Sequence, residues 1–486
     1  MTQEMEVVVG LDMGTGGARA IAMSLSGDVQ AEGSARLPAD AATVAGPCVE
    51  QNPQAWSSVA QQALRAMTSQ LPTGTKILGL AVDATSGTFL FVDRHNHPAS
   101  PGYMYNDQRA TDVASEVAAA LHDSLSPYGI YMAVSFALPK IVHLLRQRPE
   151  LAGAGQRIVH QTDWLVGMLC GDYATTDIST ALKTGADPGT LTWPTAIEQL
   201  GVPRAMLPRL VLPGTELGQV TTNAAELTGI PRGTPIVAGC TDGTAGLLAS
   251  GAKEVGDLNV TLGTTLVFKA IAPQPLLDSA GAIYNHRHPA GGYLPGAASS
   301  TGAEWVEALF PGADLEALGQ QVFSVLPTDA LAYPLVKVGE RFPLSWPTAR
   351  GFGLDTISDP VQRFAAGMEG VAYLERMAIE RFEQLGLPIN DTLYATGGGV
   401  ASDAWLRIRA SVSRRTLAVP THAGCCVGAA VLAAMPTLGS CSAAATQLVR
   451  LGRTVEPVSE WCAHYERHYQ QFRELLIARS QGRSGG

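Results

Sequence analysis

The stretch GLDMGTGGARA, residues 10–20, decides how this chain is read. A β-branched apolar segment, residues 7–11, leads into it, and a second strand-like segment, residues 18–25, follows, so the glycine-rich turn joins two strands in a hairpin. Ser26-Gly27-Asp28 supplies the next turn, and a third strand begins at Val29. Within the first turn, glycines, a threonine and Asp12 let successive backbone N–H groups converge on one anion, a geometry that suits phosphate. It is neither a GxxxxGK[ST] loop nor a GxGxxG fingerprint, whose third glycine position is Arg19 here, and both of those require a helix after the loop. An ordinary glycine hairpin, with Asp12 making a turn-stabilising hydrogen bond, fits the same residues.

The plan of strand, Gly-Thr turn and strand returns at residues 258–271 around Gly263-Thr264-Thr265. The repetition points to two structurally similar α/β halves, residues 1–250 and 251–480, with the boundary at 245–256 and a cleft between the lobes. A length of 486 residues suits two domains of comparable size. With 46% hydrophobic and 16% charged residues, the chain can build large cores. Its net charge of -10 and pI of 5.5 argue against a general affinity for nucleic acid or anionic membrane. A small anion such as ATP then needs local backbone N–H groups and a counter-cation. The N-terminus has no positively charged region before its short apolar run, and no apolar stretch reaches the roughly 18 to 20 residues that cross a bilayer. A cytoplasmic protein is expected. Seven cysteines without CxxC spacing suggest neither a disulfide framework nor a zinc site, and the neighbours Cys425 and Cys426 read as small core residues.

Other segments fill in the frame. A strand at 77–82 ends in DATSGT, residues 83–88, before a strand at 89–92; helical patterns cover 56–67 and 113–121. The hydroxyls of Thr85 and Ser86 can hydrogen-bond a polyol, or simply cap the turn. A buried-strand pattern at 234–239 runs into Cys240-Thr241-Asp242-Gly243 and a small-residue helix, 244–250. Asp242 there either N-caps the helix or projects from a rigid strand end into the cleft. Phosphoryl transfer to an alcohol needs one carboxylate to accept the hydroxyl proton, with Mg²⁺ neutralising phosphate charge. Across the cleft, Asp12 could orient the sugar or a metal-bound water. The later half shows a helix at 361–385, a strand at 392–395, then Gly397-Gly398-Gly399, where N–H groups at a helix start can hold a diphosphate or lie against an adenine. Small-residue helix 427–435 follows, and the final SQGRSGG reads as a disordered tail. His286 and His288, around Arg287, have no metal-like pattern and read as surface.

Across nearly its whole length the chain resembles the FGGY carbohydrate kinase family, in GLDMGTGGARA, EQNPQAW, VDATSGT, YNDQRA, QTDWLVGMLCGDYATTDIST, GCTDGTAGLLASGA, NVTLGTT, GERFP and ATGGGVASDAW. The resemblance implies two ribonuclease-H-like, actin-like ATPase domains with ATP and sugar in the interdomain cleft. It implies Asp242 as catalytic base and Asp12 as the acid near substrate and magnesium. Gly14, Thr15 and Arg19 match the first phosphate motif, Gly263, Thr264 and Thr265 the second, and Gly398, Gly399 and Ser402 the adenosine-side loop. Xylulokinases commonly carry Gln-Met-His where Ala84-Thr85-Ser86 stands; DATSGT looks more like the D-ribulokinase-type branch, so D-ribulose is the first expected substrate and D-xylulose the second. A second departure is Ala423-Gly424-Cys425-Cys426, where many relatives have glutamates. Sugar and ATP are the expected partners, and a homodimer is compatible with the sequence. An actin-like ATPase with a protein partner has little room after Gly399, while a sugar-binding regulator would have no use for both Asp12 and Asp242.

Overall fold

Between Val7 and Leu11 the chain has no polar side chain, and the strand it forms is buried on both faces, as the centre of a helix-covered sheet requires. In the computed structural model, which describes residues 5–482, this strand (Glu6–Gly14) pairs antiparallel with Gly17–Ser24, which pairs with Val29–Arg36. On its other side Lys76–Ala84 runs parallel to it, then Pro235–Thr241, and antiparallel Glu216–Gln219 closes the six-stranded sheet. The helix Pro53–Thr68 covers one face with Trp56, Val59, Ala63, Leu64 and Met67; Pro53 opens it and the Asn52 side chain caps it.

The chain divides into two compact units. The first runs up to Lys253 and takes in His286–Gly292 and Gly424–Arg450; the second holds Glu254–Asn285, Tyr293–Ala423 and the chain from Leu451 on. The second unit repeats the plan of the first. Its strand Leu258–Leu262 pairs antiparallel with Leu266–Ala270, which pairs with Tyr293–Ala298, while Thr392–Thr396 and Thr416–Pro420 run parallel on the other side. An antiparallel hairpin beside parallel strands thus occurs twice, as the Gly-Thr repeat in the sequence implied. Behind this sheet the helix Pro360–Gln384 is buried along most of its length, and its Glu375 meets Arg409 in a buried ion pair at 2.6 Å.

One segment departs from a simple division into halves. The helix Cys425–Leu438 returns to the first unit and lies on the strands Glu6–Gly14 and Lys76–Ala84. It is almost entirely apolar and built from small residues, and glycine makes its approach possible: a Cβ at Gly10 would sit 1.8 Å from the Cys426 carbonyl oxygen, one at Gly79 2.6 Å from that of Ala433, and one at Gly428 2.0 Å from that of Ala245. Among the described residues no single helix is long and apolar enough to cross a membrane; this helix passes the length and composition test only together with the bent continuation Cys441–Leu448, and its apolar surface is spent on the sheet.

Two expectations need correction or completion. His286 and His288 are buried, not on the surface: they belong to the strand Tyr284–Arg287 and its turn, where desolvation lowers the pKa of His288 to about 4 and its Nδ1 accepts from the Ala290 amide. The tail read as disordered begins inside structure, because the helix Ser459–Ser480 reaches Ser480; residues 483–486 lie outside the described residues. From the glycine contacts, Gly428→Ala is expected to destabilise the protein by about 1–3 kcal/mol, seen as a lower melting temperature, whereas Gly16→Ala, whose Cβ would meet nothing within 4 Å, should leave stability nearly unchanged.

Candidate active site

Sheet register brings the first group of site residues together. Asp12 lies opposite Arg19 on the antiparallel side and opposite Asp83 on the parallel side, so all three share a row near the ends of their strands. Cys240 is the next partner of Asp83, and Asp242 follows two residues later, at the start of the helix Asp242–Leu248. The carboxylates gather at the C-terminal edge of three parallel strands, where open α/β sheets place ligand sites. Asp12 is 7% exposed and Asp83 fully buried, and no N–H or O–H of another residue reaches either Asp83 oxygen. Burial raises the pKa of Asp83 well above the ordinary value, and the neighbouring Asp12 and Asp242 raise it further. Asp12 is also raised, again first by burial, with Arg19 opposing at 3.7 Å. Both shifts favour the protonated form, Asp83 more strongly than Asp12.

Asp242 is not the helix cap. Thr241 holds that position, and the partly exposed Asp242 side chain accepts from the adjacent Gly243 amide at 2.7 Å. Its mounting is stiff: the Thr241 amide donates to Ser179 Oγ, and Asp177 anchors Ser179 through its hydroxyl and amide. Lys183 is close enough for Asp242 to oppose the fall in pKa that burial imposes on the lysine. The same ammonium donates to the Ser86 carbonyl, which ties the DATSGT loop to this edge of the sheet. Gly87 permits that approach, with φ +90° and a would-be Cβ 2.9 Å from Lys183 Cδ.

The loop's two hydroxyls differ. Thr85 is buried, with its hydroxyl engaged by Gln161 and Thr88, both at 2.7 Å. Ser86 keeps a buried hydroxyl with no protein partner, as does the Gln161 amide nitrogen. Beneath the loop, fully buried Lys140 donates to the Gly87 and Met104 carbonyls, and desolvation lowers its pKa to about 7. The turn at Gly14 and Thr15 is fixed from EQNPQAW: Gln51 donates to the Thr15 carbonyl while Trp56 donates to Gln51. The Arg19 side chain is 73% exposed. Asp83, Gln51, Gln161 and Lys183 were not singled out from sequence; the register of two apolar strands was the signal that could have found Asp83.

In the second unit a 740 Å³ cavity is lined by Gly263, Thr264, Gly398, Gly399 and Ser402, with Phe364 and Trp405 as aromatic walls. Thr265 lies outside that lining. Gly397-Gly398-Gly399 does not run directly into the helix: Gly398–Ala401 forms a short 3₁₀ turn and Ser402 caps the helix Asp403–Ser413 by accepting from the Trp405 amide. Gly397 has φ +87° and its would-be Cβ falls 2.5 Å from the Leu262 carbonyl oxygen, which joins the glycine loop to the strand before Gly263. The Gly263-Thr264-Thr265 turn is braced by residues 299–304. Ala303 and Glu304 amides donate to the Gly263 and Thr264 carbonyls, and Leu266 and Ser299 or Thr301 exchange backbone bonds. Glu340 of GERFP, 4% exposed, holds that brace: it accepts from the hydroxyls of Ser299, Thr301 and Tyr333 and from the amides of Ser300 and Arg341.

Residues 7–249 match the model of the FGGY family of carbohydrate kinases, N-terminal domain, and residues 258–436 that of the C-terminal domain. The chain is 25% identical over 489 residues to a xylulose kinase of Bacillus subtilis (strain 168), covering 97% of each protein. It is 26% identical to a gluconokinase of the same organism, covering 87% of this chain and 86% of the relative. The crystal structure of xylulose kinase from Rhodospirillum rubrum superposes with a TM-score of 0.84 at 24% identity, over 97% of this chain and 98% of that one, and shares its two-domain actin-like ATPase fold. A hairpin-first sheet in each unit, acids at the strand ends of the first, a glycine-lined cavity in the second and two consecutive domain matches place this chain in the FGGY family of carbohydrate kinases.

Proposed function

We propose that this kinase transfers the γ-phosphoryl group of ATP to the terminal hydroxyl of a ketopentose, D-ribulose first and D-xylulose second, with Asp242 accepting the hydroxyl proton. The observation that carries the reading is the position of Asp242: a partly exposed carboxylate on a rigid strand end, in the same acid cluster as buried Asp12 and Asp83. A base needs to be ionised and reachable, and of the three acids Asp242 is the most exposed. Asp12 orients the sugar. The unpartnered Ser86 hydroxyl and Gln161 amide are the hydrogen-bonding groups a polyol would satisfy, whereas Thr85 shapes the loop. The preference for D-ribulose rests on DATSGT with its buried Asp83. The names of the relatives make D-xylulose and gluconate the competing substrates.

In the second unit the turn of Gly263, Thr264 and Thr265 would take phosphate and the loop of Gly398, Gly399 and Ser402 adenosine, beside a cavity of a size usual for such ligands; in the first unit the turn of Gly14, Thr15 and Arg19 is the other candidate for phosphate. An all-oxygen acidic donor set fits Mg²⁺, which Asp12 would hold through water and which would supply charge neutralisation of the phosphates. This chain's own residues position the sugar hydroxyl, take its proton and hold the nucleotide.

Asp242→Asn should lower kcat by about 10² to 10⁴-fold with the KM for sugar and ATP little changed; a variant that phosphorylates D-ribulose as fast as the parent removes Asp242 from the role. In a coupled ADP assay over D-ribulose, D-xylulose, gluconate and glycerol, kcat/KM should be highest for D-ribulose; turnover of glycerol or gluconate alone would refute a pentulose kinase. No sugar-stimulated ATP turnover at all would favour a sugar-binding regulator instead. Glu340→Gln leaves part of the brace without an acceptor, so the KM for ATP should rise by about tenfold, or about 1.4 kcal/mol, with the sugar KM unchanged.

A further inference from the structure

On the second unit, two histidines one helical turn apart face an aspartate. His464 and His468 lie on the helix Ser459–Ser480, and i, i+4 spacing places both on one face. Their rings stack 4.0 Å apart with planes 9° from parallel. Asp329 Oδ1 lies 3.9 Å from His464 Nε2 and 3.7 Å from His468 Nε2. One ligand atom from each of the three falls within 4.8 Å of the others, the single such His/Cys/Asp/Glu group among the described residues. The sequence reading, which looked for cysteine spacing and for His286 and His288, passed over it.

We propose that His464, His468 and Asp329 form a binding site for a transition-metal dication of the zinc type. The chemistry of the donors points there: two imidazoles and one carboxylate suit Zn²⁺, while Mg²⁺ and Ca²⁺ prefer all-oxygen sites. His468 is already set for ligation. Its Nδ1 donates to the His464 carbonyl at 3.1 Å, which leaves the lone pair on Nε2, the nitrogen facing Asp329. His464 donates Nε2–H to the Thr328 carbonyl at 2.8 Å, so its Nε2 would ligate a metal only by giving up that bond and moving the proton to Nδ1, the other nitrogen of the neutral ring. The surroundings are held, because the histidine side chains are only 18% and 12% exposed and Thr328 is bonded through its amide and hydroxyl to Glu369. Asp329, with a side chain 95% exposed, supplies the third ligand from the solvent side and leaves a path for the ion and its remaining waters. A bound ion would clamp the turn at 328–329, already tied to the helix Pro360–Gln384, onto the C-terminal helix, and so stabilise the folded chain by linkage.

The experiment uses full-length, tag-free protein dialysed against EDTA and titrated with zinc chloride by calorimetry, with melting temperature read in parallel. One equivalent of zinc should bind and raise the melting temperature, and the same concentration of magnesium chloride should not. His468→Ala should abolish the zinc-dependent rise, and Asp329→Ala, a change at an exposed position that leaves folding intact, should weaken zinc binding several-fold. Kinase activity in magnesium without zinc should stay at the parent level in both variants. Absence of stoichiometric zinc binding in the parent, or zinc binding of undiminished affinity in Asp329→Ala and His468→Ala, overturns the proposal.

Discussion

Backbone-to-backbone contact between the helix Cys425–Leu438 and the sheet below it is the constraint on which the first unit depends. Gly10, Gly79 and Gly428 each lie where a Cβ would be within 2.6 Å of a carbonyl oxygen, so no other residue fits without moving the helix away. The strands pinned this way are those whose ends carry Asp12 and Asp83, and the helix contacted at Ala245 is the one that begins with Asp242. Cys425 Sγ, at the first turn of the packed helix, donates to the Asp242 carbonyl at 3.4 Å. The acid cluster therefore sits on a platform with little freedom to relax, which preserves its electrostatic tension. Small residues at 425 and 426 fit that proximity: burial and the nearby acids push the Cys426 thiol up to about 12 and raise Cys425 as well, so both stay neutral beside the carboxylates.

That tension puts the three acids in different electrostatic environments. A buried carboxyl with no donor, such as Asp83, is costly as an anion and acceptable with a proton, while Asp242 is the more exposed of the three. In a chain with a net charge of -10, no general positive field draws in a triphosphate, so the binding groups must be local. The groups proposed for that role are backbone turns, and turns need bracing. Gln51 does this for Thr15, and Glu340, with five donors, does it for the segment behind Gly263 and Thr264. EQNPQAW and GERFP thus act on these turns through hydrogen bonds.

Much of the fold was legible in the sequence because its signals are local. The 7–11 and 18–25 runs, the Gly-Thr turn repeated at 263, the strand at 89–92 and the long helix starting near 361 follow from periodicity and turn chemistry, and all are present. Asp242 at a strand-to-helix junction and the glycine loops followed from the same kind of reading. His286 and His288 were misplaced because the lack of a metal-like pattern says nothing of burial, which depends on what packs over the segment. Asp83 passed unremarked because it reads as the first residue of a turn rather than the neighbour of a residue 71 positions earlier.

The amino-acid sequence by itself determined the elements, the duplicated hairpin plan and the residue types able to accept a proton or cradle a phosphate, since hydrophobic period, glycine and short polar side chains act within a few residues. Only the tertiary structure decided which of those residues meet. Strand register set Asp12 beside Asp83, close packing at glycine returned residues 425–438 to the first unit, and helix periodicity turned His464 and His468 toward Asp329. Each is a contact between segments far apart in the chain, fixed by the geometry of whole sheets and helices rather than by any local preference.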